Sequence, residues 1–285
     1  MTPVESVASD RVVIVTGTST GIGLETAVLL ASSGWRVIAT MRNLAKSDAL
    51  RQHAEAAGVD LDVRHLDVVS DESVAACVDS VVADFGRIDA VVNNAGAGHI
   101  GTLEQEDLAA FVEVIDTNLI SVARMTKAVL PHLRASRGHV LTVTSVGGVV
   151  GQPFNEAYCA AKFGVEGMLE SLAPVARTVG VRVTVVEPGP VATEFVANVG
   201  SAHSTTVQDP GAYGPALAGY AARVSGAFAN AQSAADVAQV IARVLDDPDP
   251  AFRHQTSDGS KAFVSTKISD VDGSAVQTLT RSWLD

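Results

Sequence analysis

The stretch "RVVIVTGTSTGIG", residues 11–23, runs from a β-branched segment through three glycines into residues suited to a helix. Val12 to Thr16 is apolar at odd and even positions alike, which predicts a strand buried on both faces rather than on one. Gly17, Gly21 and Gly23 then fall after that strand and at the mouth of the first helix. There the backbone can approach a ligand closely and the unpaired N–H groups of the helix start favour an anion. The spacing, Gly-x-x-x-Gly-x-Gly, differs from the common dinucleotide fingerprint, but its position between strand and helix points to a bound pyrophosphate.

The same rhythm continues outward. Short β-branched runs recur at 35–41, 61–66, 89–93, 138–144 and 181–186, and helical segments are expected at about 21–33, 44–57, 71–85, 105–134 and 157–178. Gly34, Gly58, Gly86 and Gly180 stand at helix ends, where a left-handed stop is usual. Strand alternating with helix implies parallel strands, hence an α/β, doubly wound Rossmann fold with helices on both faces of the sheet. Residues 1–285 read as a single NAD(P)-binding domain. From about 190 to 232 the sequence is rich in Gly, Ser, Ala and Pro without a clean period, and is expected to be a substrate lid. A helix capped by Ser233 follows at 233–246, then a last strand within 251–257. The extension at about 258–285 carries Phe263, Val264, Leu279, Trp283 and Leu284 and is expected to dock.

Composition narrows the function. The 285 residues are 47% hydrophobic, enough for a sizeable core, and the formal net charge of −12 leaves no basic stripe for nucleic acid. The apolar runs are far shorter than the roughly 20 residues of a membrane span, and "MTPVESVASD" lacks the flanks of a signal peptide. Two cysteines, Cys77 and Cys159, are too few for a disulfide framework or a paired zinc site, so no metal is expected and a reducing cytoplasm fits.

Two places carry specific chemistry. At the end of the second strand, "VIATMRN", Met41 stands where a carboxylate would bond a free ribose hydroxyl. Arg42 follows with a planar fork suited to a 2′-phosphate, so NADP(H) is favoured over NAD(H), with Ser19 and Thr20 as added hydroxyl donors. In "EAYCAAKFG", Tyr158 and Lys162 lie four residues apart on one helical face, where an ammonium can approach a phenol and favour its ionised form.

These elements together resemble the short-chain dehydrogenase/reductase family over roughly residues 10–195. The resemblance rests on "TGTSTGIG" (16–23), Asp67, "NNAG" (93–96), Asn118 in "DTNL", Ser145 in "TVTS", Tyr158 and Lys162 in "YCAAK", and "PGPVAT" (188–193). "ATMRN" and the segment 145–173 look especially like the 17β-hydroxysteroid and retinol dehydrogenase branch. The resemblance implies Tyr158 as general acid in ketone reduction and base in alcohol oxidation, with its pKa lowered by Lys162 and by the positive nicotinamide ring when oxidised. It implies Ser145 as holder of the substrate oxygen, and Asn118 as a helix kink that anchors a water linking Lys162 to solvent. Lys162 would also bond the nicotinamide ribose. Asp67 would accept from the adenine amino group, with Asn93, Ala95 and Gly96 making room for the adenosine ribose. Ile22, Val68 and Val191 would give apolar contacts beside Met41, and Thr193, in the loop opened by Pro188 and Gly189, would bond the carboxamide.

The expected activity is hydride transfer between NADP(H) and a secondary alcohol or ketone, a bulky apolar one given Phe195, Val196, Tyr213, Leu217, Tyr220 and Phe228 in the lid. Alternatives are an NAD-dependent enzyme, another short-chain chemistry such as epimerisation or dehydration, and a non-catalytic NADP-sensing regulator. A homodimer or homotetramer is expected, because the helices at 105–134 and 157–178 show apolar residues on more faces than one sheet covers.

Overall fold

The computed structural model describes residues 11–194, 205–228 and 231–284. Its centre is a seven-stranded sheet in the order β3-β2-β1-β4-β5-β6-β7, with every neighbouring pair parallel. The strands are β1 (Val12–Thr16), β2 (Arg36–Met41), β3 (Asp62–His65), β4 (Ala90–Asn93), β5 (His139–Val143), β6 (Arg182–Glu187) and β7 (Arg253–Gln255). β1, β4 and β5 are buried along their whole length, as their unbroken apolar character requires. β3 and β7 are sheet edges, and their residues are largely half-exposed rather than buried on both faces.

Alternation along each strand divides the core in two. Ile14, Ile38, Val91, Val140 and Val185 point to one face, covered by α3 (Asp71–Phe85), α5 (Ser121–Ser136) and α6 (Glu156–Arg177). Val13, Val15, Val37, Val92 and Val186 point to the other, covered by α1 (Gly21–Ser32) and the helix Ala234–Asp246, which pack against each other. The latter helix buries Val237, Ile241, Val244 and Leu245 at i, i+4, i+7 and i+8, and begins in a capping box between Ser233 and Asp236. Gly34, Gly58, Gly86 and Gly180 all take positive φ at helix ends.

Four expectations need correction. The helix foreseen at 44–57 is a single turn, Leu44–Lys46, followed by α2 (Asp48–Ala57). The long helix at 105–134 is α4 (Leu108–Ile115) and α5, joined by a π-helical turn at Asp116–Ile120. Within the irregular stretch 190–232 lies a regular helix, Gly214–Phe228, and only its Tyr220 is fully buried. The expected final strand shortens to three residues at β7. The extension folds as two helices, Asp258–Ile268 and Ser274–Arg281, and docks through Val264 and Val276. Among the described residues no helix is long and apolar enough to cross a membrane.

Candidate active site

All the strands are parallel, so their carboxyl ends gather along one edge of the sheet, the edge at which open α/β sheets take ligands. A cleft of about 890 Å³ opens there, lined at one end by the loop after β1 and at the other by the helix Gly214–Phe228 and the C-terminal extension.

The β1 loop is built on close backbone approach. A Cβ on Gly23 would lie 2.2 Å from the Gly17 carbonyl oxygen and 2.4 Å from Asn94 Nδ2, and one on Gly17, whose φ is +72°, would lie 2.9 Å from Ala95 Cα. No side chain fits at either point. Asn94 draws these strands together: its Nδ2 donates to the Thr16 and Gly17 carbonyls at 2.9 and 3.0 Å, and its backbone N–H donates to Thr16 Oγ1 at 3.0 Å. Thr20 is the N-cap of α1 but makes no side-chain cap, which leaves the first N–H groups of that helix without a partner from that side chain. A side-chain-free cradle beside such a helix start suits a pyrophosphate. Gly17, Ser19, Thr20, Gly21 and Ile22 line this end, with Met41, Arg42, Asp67 and Val68 from the next two strand ends. Arg42 is exposed and has no carboxylate partner among the described residues. Ala95, Gly96, Pro188, Gly189, Val191 and Thr193 line the middle, where Thr193 closes over Gly21 at 3.1 Å from the position of a Cβ.

Asn93 lies elsewhere. It is buried under the cleft floor, donating to Thr126 Oγ1 and Thr142 Oγ1 at 3.2 Å each, so it braces β4 against α5 and β5 instead of making room for a ribose. Successive residues of an extended segment face opposite sides, and it is Asn94, one position on, that reaches the cleft. The strand's period of two is the signal by which sequence reasoning could have told them apart.

At the reacting end stand Ser145, just past β5, and Tyr158 and Lys162 on α6. Ser145 Oγ accepts from the Gly147 N–H at 2.9 Å and hydrogen-bonds the Tyr158 phenol. The Lys162 ammonium is buried, 5.8 Å from the centre of the Tyr158 ring, and donates to the Val143 carbonyl at 3.1 Å. The phenol is not lowered: burial pushes it up to about 12, partly offset by the Ser145 hydrogen bond. Desolvation lowers Lys162 to about 8, with Glu166 acting in the opposite direction. Both groups therefore hold their protons near neutrality, an arrangement suited to giving a proton to an oxygen that Ser145 also touches.

Asn118 stands behind this pair in the π-helical turn. Its Oδ1 accepts from the Ala97 N–H, and its Nδ2 donates to the carbonyls of Ala97 and Val114, all at 3.0 Å. The side chain thus satisfies a carbonyl in the widened turn and clamps the loop after β4. A Cβ on Gly96 would lie 2.8 Å from Asn118 Oδ1, so this clamp also demands glycine. Both amide hydrogens are committed, so a water bound by this residue must be held through an acceptor.

Several contributors were not legible in the sequence. Glu166, one turn beyond Lys162, is buried and accepts from Thr144 Oγ1 at 2.6 Å and from Arg253 Nε at 3.1 Å. Arg253 also pairs with the fully buried Glu187 at 3.3 Å and with Glu170 at 3.0 Å. This cluster ties the strand end that carries Ser145 to α6, β6 and β7. On the substrate side, Tyr220 and Phe228 line the cleft as expected, and the Tyr220 hydroxyl accepts from Asn155 Nδ2 at 2.6 Å. Leu217 does not line it, and Tyr213 turns away to donate to Glu104. Phe195 and Val196 lie outside the described residues. Arg223, Phe263 and Trp283 complete the wall.

The pattern of the family described as short chain dehydrogenase matches residues 11–204. Over 274 residues the chain is 42% identical to retinol dehydrogenase 8 of Bos taurus, covering 93% of this chain and 87% of that protein. It is 37% identical over 272 residues to 17-beta-hydroxysteroid dehydrogenase type 1 of Homo sapiens, covering 92% and 82%. The solved structure of a short-chain dehydrogenase from Streptomyces avermitilis superposes with a TM-score of 0.81 at 27% identity, over 96% of this chain and 98% of that one. The chain belongs to the short-chain dehydrogenase/reductase family and is an oxidoreductase of alcohols and ketones.

The buried cluster has a measurable consequence. Burial raises Glu166 from 4.5 to about 7, and Glu187 moves in the same direction. A raised folded-state pKa means that the native chain holds the proton more tightly than the unfolded chain. The resulting stability is complete below the unfolded value and is lost as pH climbs through about 7. The unfolding free energy from urea titrations should fall across this window, by at most about 1.4 kcal/mol per pH unit for one proton. Glu166→Gln should flatten the decline; an equally steep decline in the variant would show that Glu166 does not titrate there.

Proposed function

We propose that the protein is an NADP(H)-dependent oxidoreductase acting on a bulky, apolar secondary alcohol or ketone. The observation that carries this reading is the placement of Ser145, Tyr158 and a buried Lys162 in the same cleft as the glycine cradle and Arg42, which has no carboxylate partner among the described residues. Similarity to proteins named for retinol and 17β-hydroxysteroids supports the size and character of the substrate.

When bound, a nicotinamide cofactor would supply or accept the hydride, and the chain's own residues would bind, orient and move the proton. Gly17, Gly21 and Gly23 admit the pyrophosphate to the start of α1, and Arg42, with Ser19 and Thr20, takes the 2′-phosphate. Asp67 and Val68 hold the adenine, and Ala95 and Gly96 leave space for the ribose. Val191 and Thr193 close the loop begun by Pro188 and Gly189 over the amide end. Ser145 donates to the substrate oxygen, and Tyr158 gives it a proton in reduction or takes one in oxidation. Lys162 supports that transfer with a charge that burial has not extinguished, while Asn118 fixes the loop beside it. The stretch 190–232 serves as the substrate lid within one domain, and two buried free cysteines suit a reducing cytoplasm.

We also infer a homodimer at least. Leu108 and Val112 stand one turn apart on α4, 67% and 58% exposed, with Ile120 and Phe163 also open on the adjoining turn and on α6, which packs against α4. Such a patch is costly in water and is covered by a second copy.

Three measurements test these readings. Tyr158→Phe should lower turnover by at least about a hundredfold while NADPH still binds, because the ring keeps its packing; near-normal turnover at saturating substrate would overturn the proton-transfer role. Arg42→Ala should weaken NADPH by roughly 1–3 kcal/mol and leave NADH nearly unchanged, and Met41→Asp should reverse the preference. Equal loss for both cofactors, followed by nicotinamide fluorescence, would count against the 2′-phosphate assignment. Finally, sedimentation should report a dimer or larger for the parent and a shift to monomer for Val112→Glu; a parent that is monomeric at micromolar concentration contradicts the interface.

A further inference from the structure

Among the described residues, four charged side chains line the cleft: Arg42, Asp67, Lys162 and Arg223. Three cations and one carboxylate face a single cavity in a chain whose net charge is −12. Arg42 and Asp67 belong to the nucleotide end, and Lys162 is engaged with the Val143 carbonyl at the reacting end. Arg223 belongs to neither. It sits on the helix Gly214–Phe228, where Val224, Ala227 and Phe228 also line the cleft and form the apolar wall on the substrate side.

Its guanidinium is held in place by rings rather than by a carboxylate. Arg223 Cζ lies 5.5 Å from the centre of the Trp283 ring, and Trp283 stacks on Phe263 with centroids 5.8 Å apart and planes at 22°. Both rings come from the C-terminal extension and line the same cavity. Among the described residues Arg223 has no ion-pair partner, and the Trp283 indole Nε1 is buried without an acceptor. Among the described residues this end of the cleft therefore presents a guanidinium without a carboxylate and an indole N–H without an acceptor. The Arg223 side chain is exposed at the mouth of the cleft while the indole N–H is buried, and a planar guanidinium set over an aromatic face matches a carboxylate in two-point fashion.

We propose that Arg223 is a specificity-determining residue that selects substrates bearing a carboxylate at the end of the apolar body remote from the reacting carbon. The substrate class is then an amphiphilic keto acid or hydroxy acid: an apolar middle against Val224, Phe228 and Phe263, an oxidisable or reducible carbon at Ser145 and Tyr158, and an anion at Arg223. The inference rests on the reading of the cleft as an alcohol and ketone site. It adds a direction to the substrate, because the anion fixes which end enters first. It also adds a salt dependence, because the positive lining attracts an anion against the field of the whole chain.

The test uses a series of aryl ketones carrying a carboxylate on alkyl tethers of increasing length, each paired with its neutral methyl ester. With the full-length protein and NADPH, at least one acid should exceed its ester in kcat/KM by about tenfold or more, chiefly through KM, as a charge-assisted contact provides. That ratio should shrink as salt is raised. Arg223→Leu should bring it near one, Arg223→Lys should restore part of it, and Arg223→Glu should place the acid below the ester. Calorimetric binding of acid and ester to the NADPH-loaded protein gives the same ratio without turnover. Esters reduced in a Tyr158-dependent way with no acid preference at any length, or a preference that survives Arg223→Leu, would overturn the role of Arg223 and leave the oxidoreductase reading intact. No reduction and no binding of either series would overturn both.

Discussion

The structure turns on how close two pieces of backbone can come. With a carbonyl oxygen 2.2 Å from the point where a side chain at Gly23 would begin, the loop after β1 and the first turn of α1 touch main chain to main chain. Asn94 completes the arrangement by donating to two successive carbonyls of that loop, so the ends of β1 and β4 are locked at the point where strand order reverses. The loop is left free of side chains beside the start of α1, where backbone N–H groups favour an anion. The close approach of Gly96 to Asn118 repeats the device a few residues later, and a Cβ on Gly96 would also lie 3.8 Å from Lys162 Nζ. The nucleotide end is thus shaped by what is missing from its side chains.

The reacting end obeys a different rule, desolvation balanced by a few polar contacts. Tyr158, Lys162 and Glu166 follow one another at four-residue steps along α6, and burial pushes each toward its neutral form. What prevents collapse to an inert core is a set of specific partners: Ser145 on the phenol, the Val143 carbonyl on the ammonium, Thr144 and Arg253 on the carboxylate. The edge strand β7 contributes only three residues to the sheet, yet its Arg253 engages three carboxylates on α6 and β6. A weak ladder is reinforced by a buried ion cluster that reaches the strand end carrying Ser145.

Much of this was legible in the sequence, for identifiable reasons. Continuous β-branched runs such as Val12–Thr16 have no other stable home than a sheet covered on both sides, and the glycines of 17–23 declare the loop they form. Tyr158, Lys162, Ser145 and Arg42 line one cleft as the motifs imply. What was not legible depends on contacts between distant segments. The helix Gly214–Phe228 carries Leu217, Tyr220, Val224 and Phe228 at helical spacing, but small residues and Pro215 dilute that stripe, and most of it faces the cleft instead of a core, with Tyr220 alone buried. Asn94, not Asn93, reaches the cleft because successive residues of an extended chain face opposite sides. The Tyr158 shift runs upward because burial exceeds the Ser145 hydrogen bond, and burial is not written in a four-residue spacing. Arg253 lies 87 positions from Glu166, beyond any local pattern.

The C-terminal helix Asp258–Ile268 touches both halves of the cleft within one turn. Ser260 Oγ lies 2.7 Å from where a side chain would begin at Gly189, in the loop beside the nucleotide end, while Phe263, three positions later, faces the substrate wall with Trp283. A displacement of this helix by an occupant of one half is at once a displacement of the wall of the other. Two ligands that share such a wall are thermodynamically linked, and the linkage is reciprocal: whatever the second does for the affinity of the first, the first does for the second. The helix Asp258–Ile268 is in this sense a partition common to two neighbouring compartments.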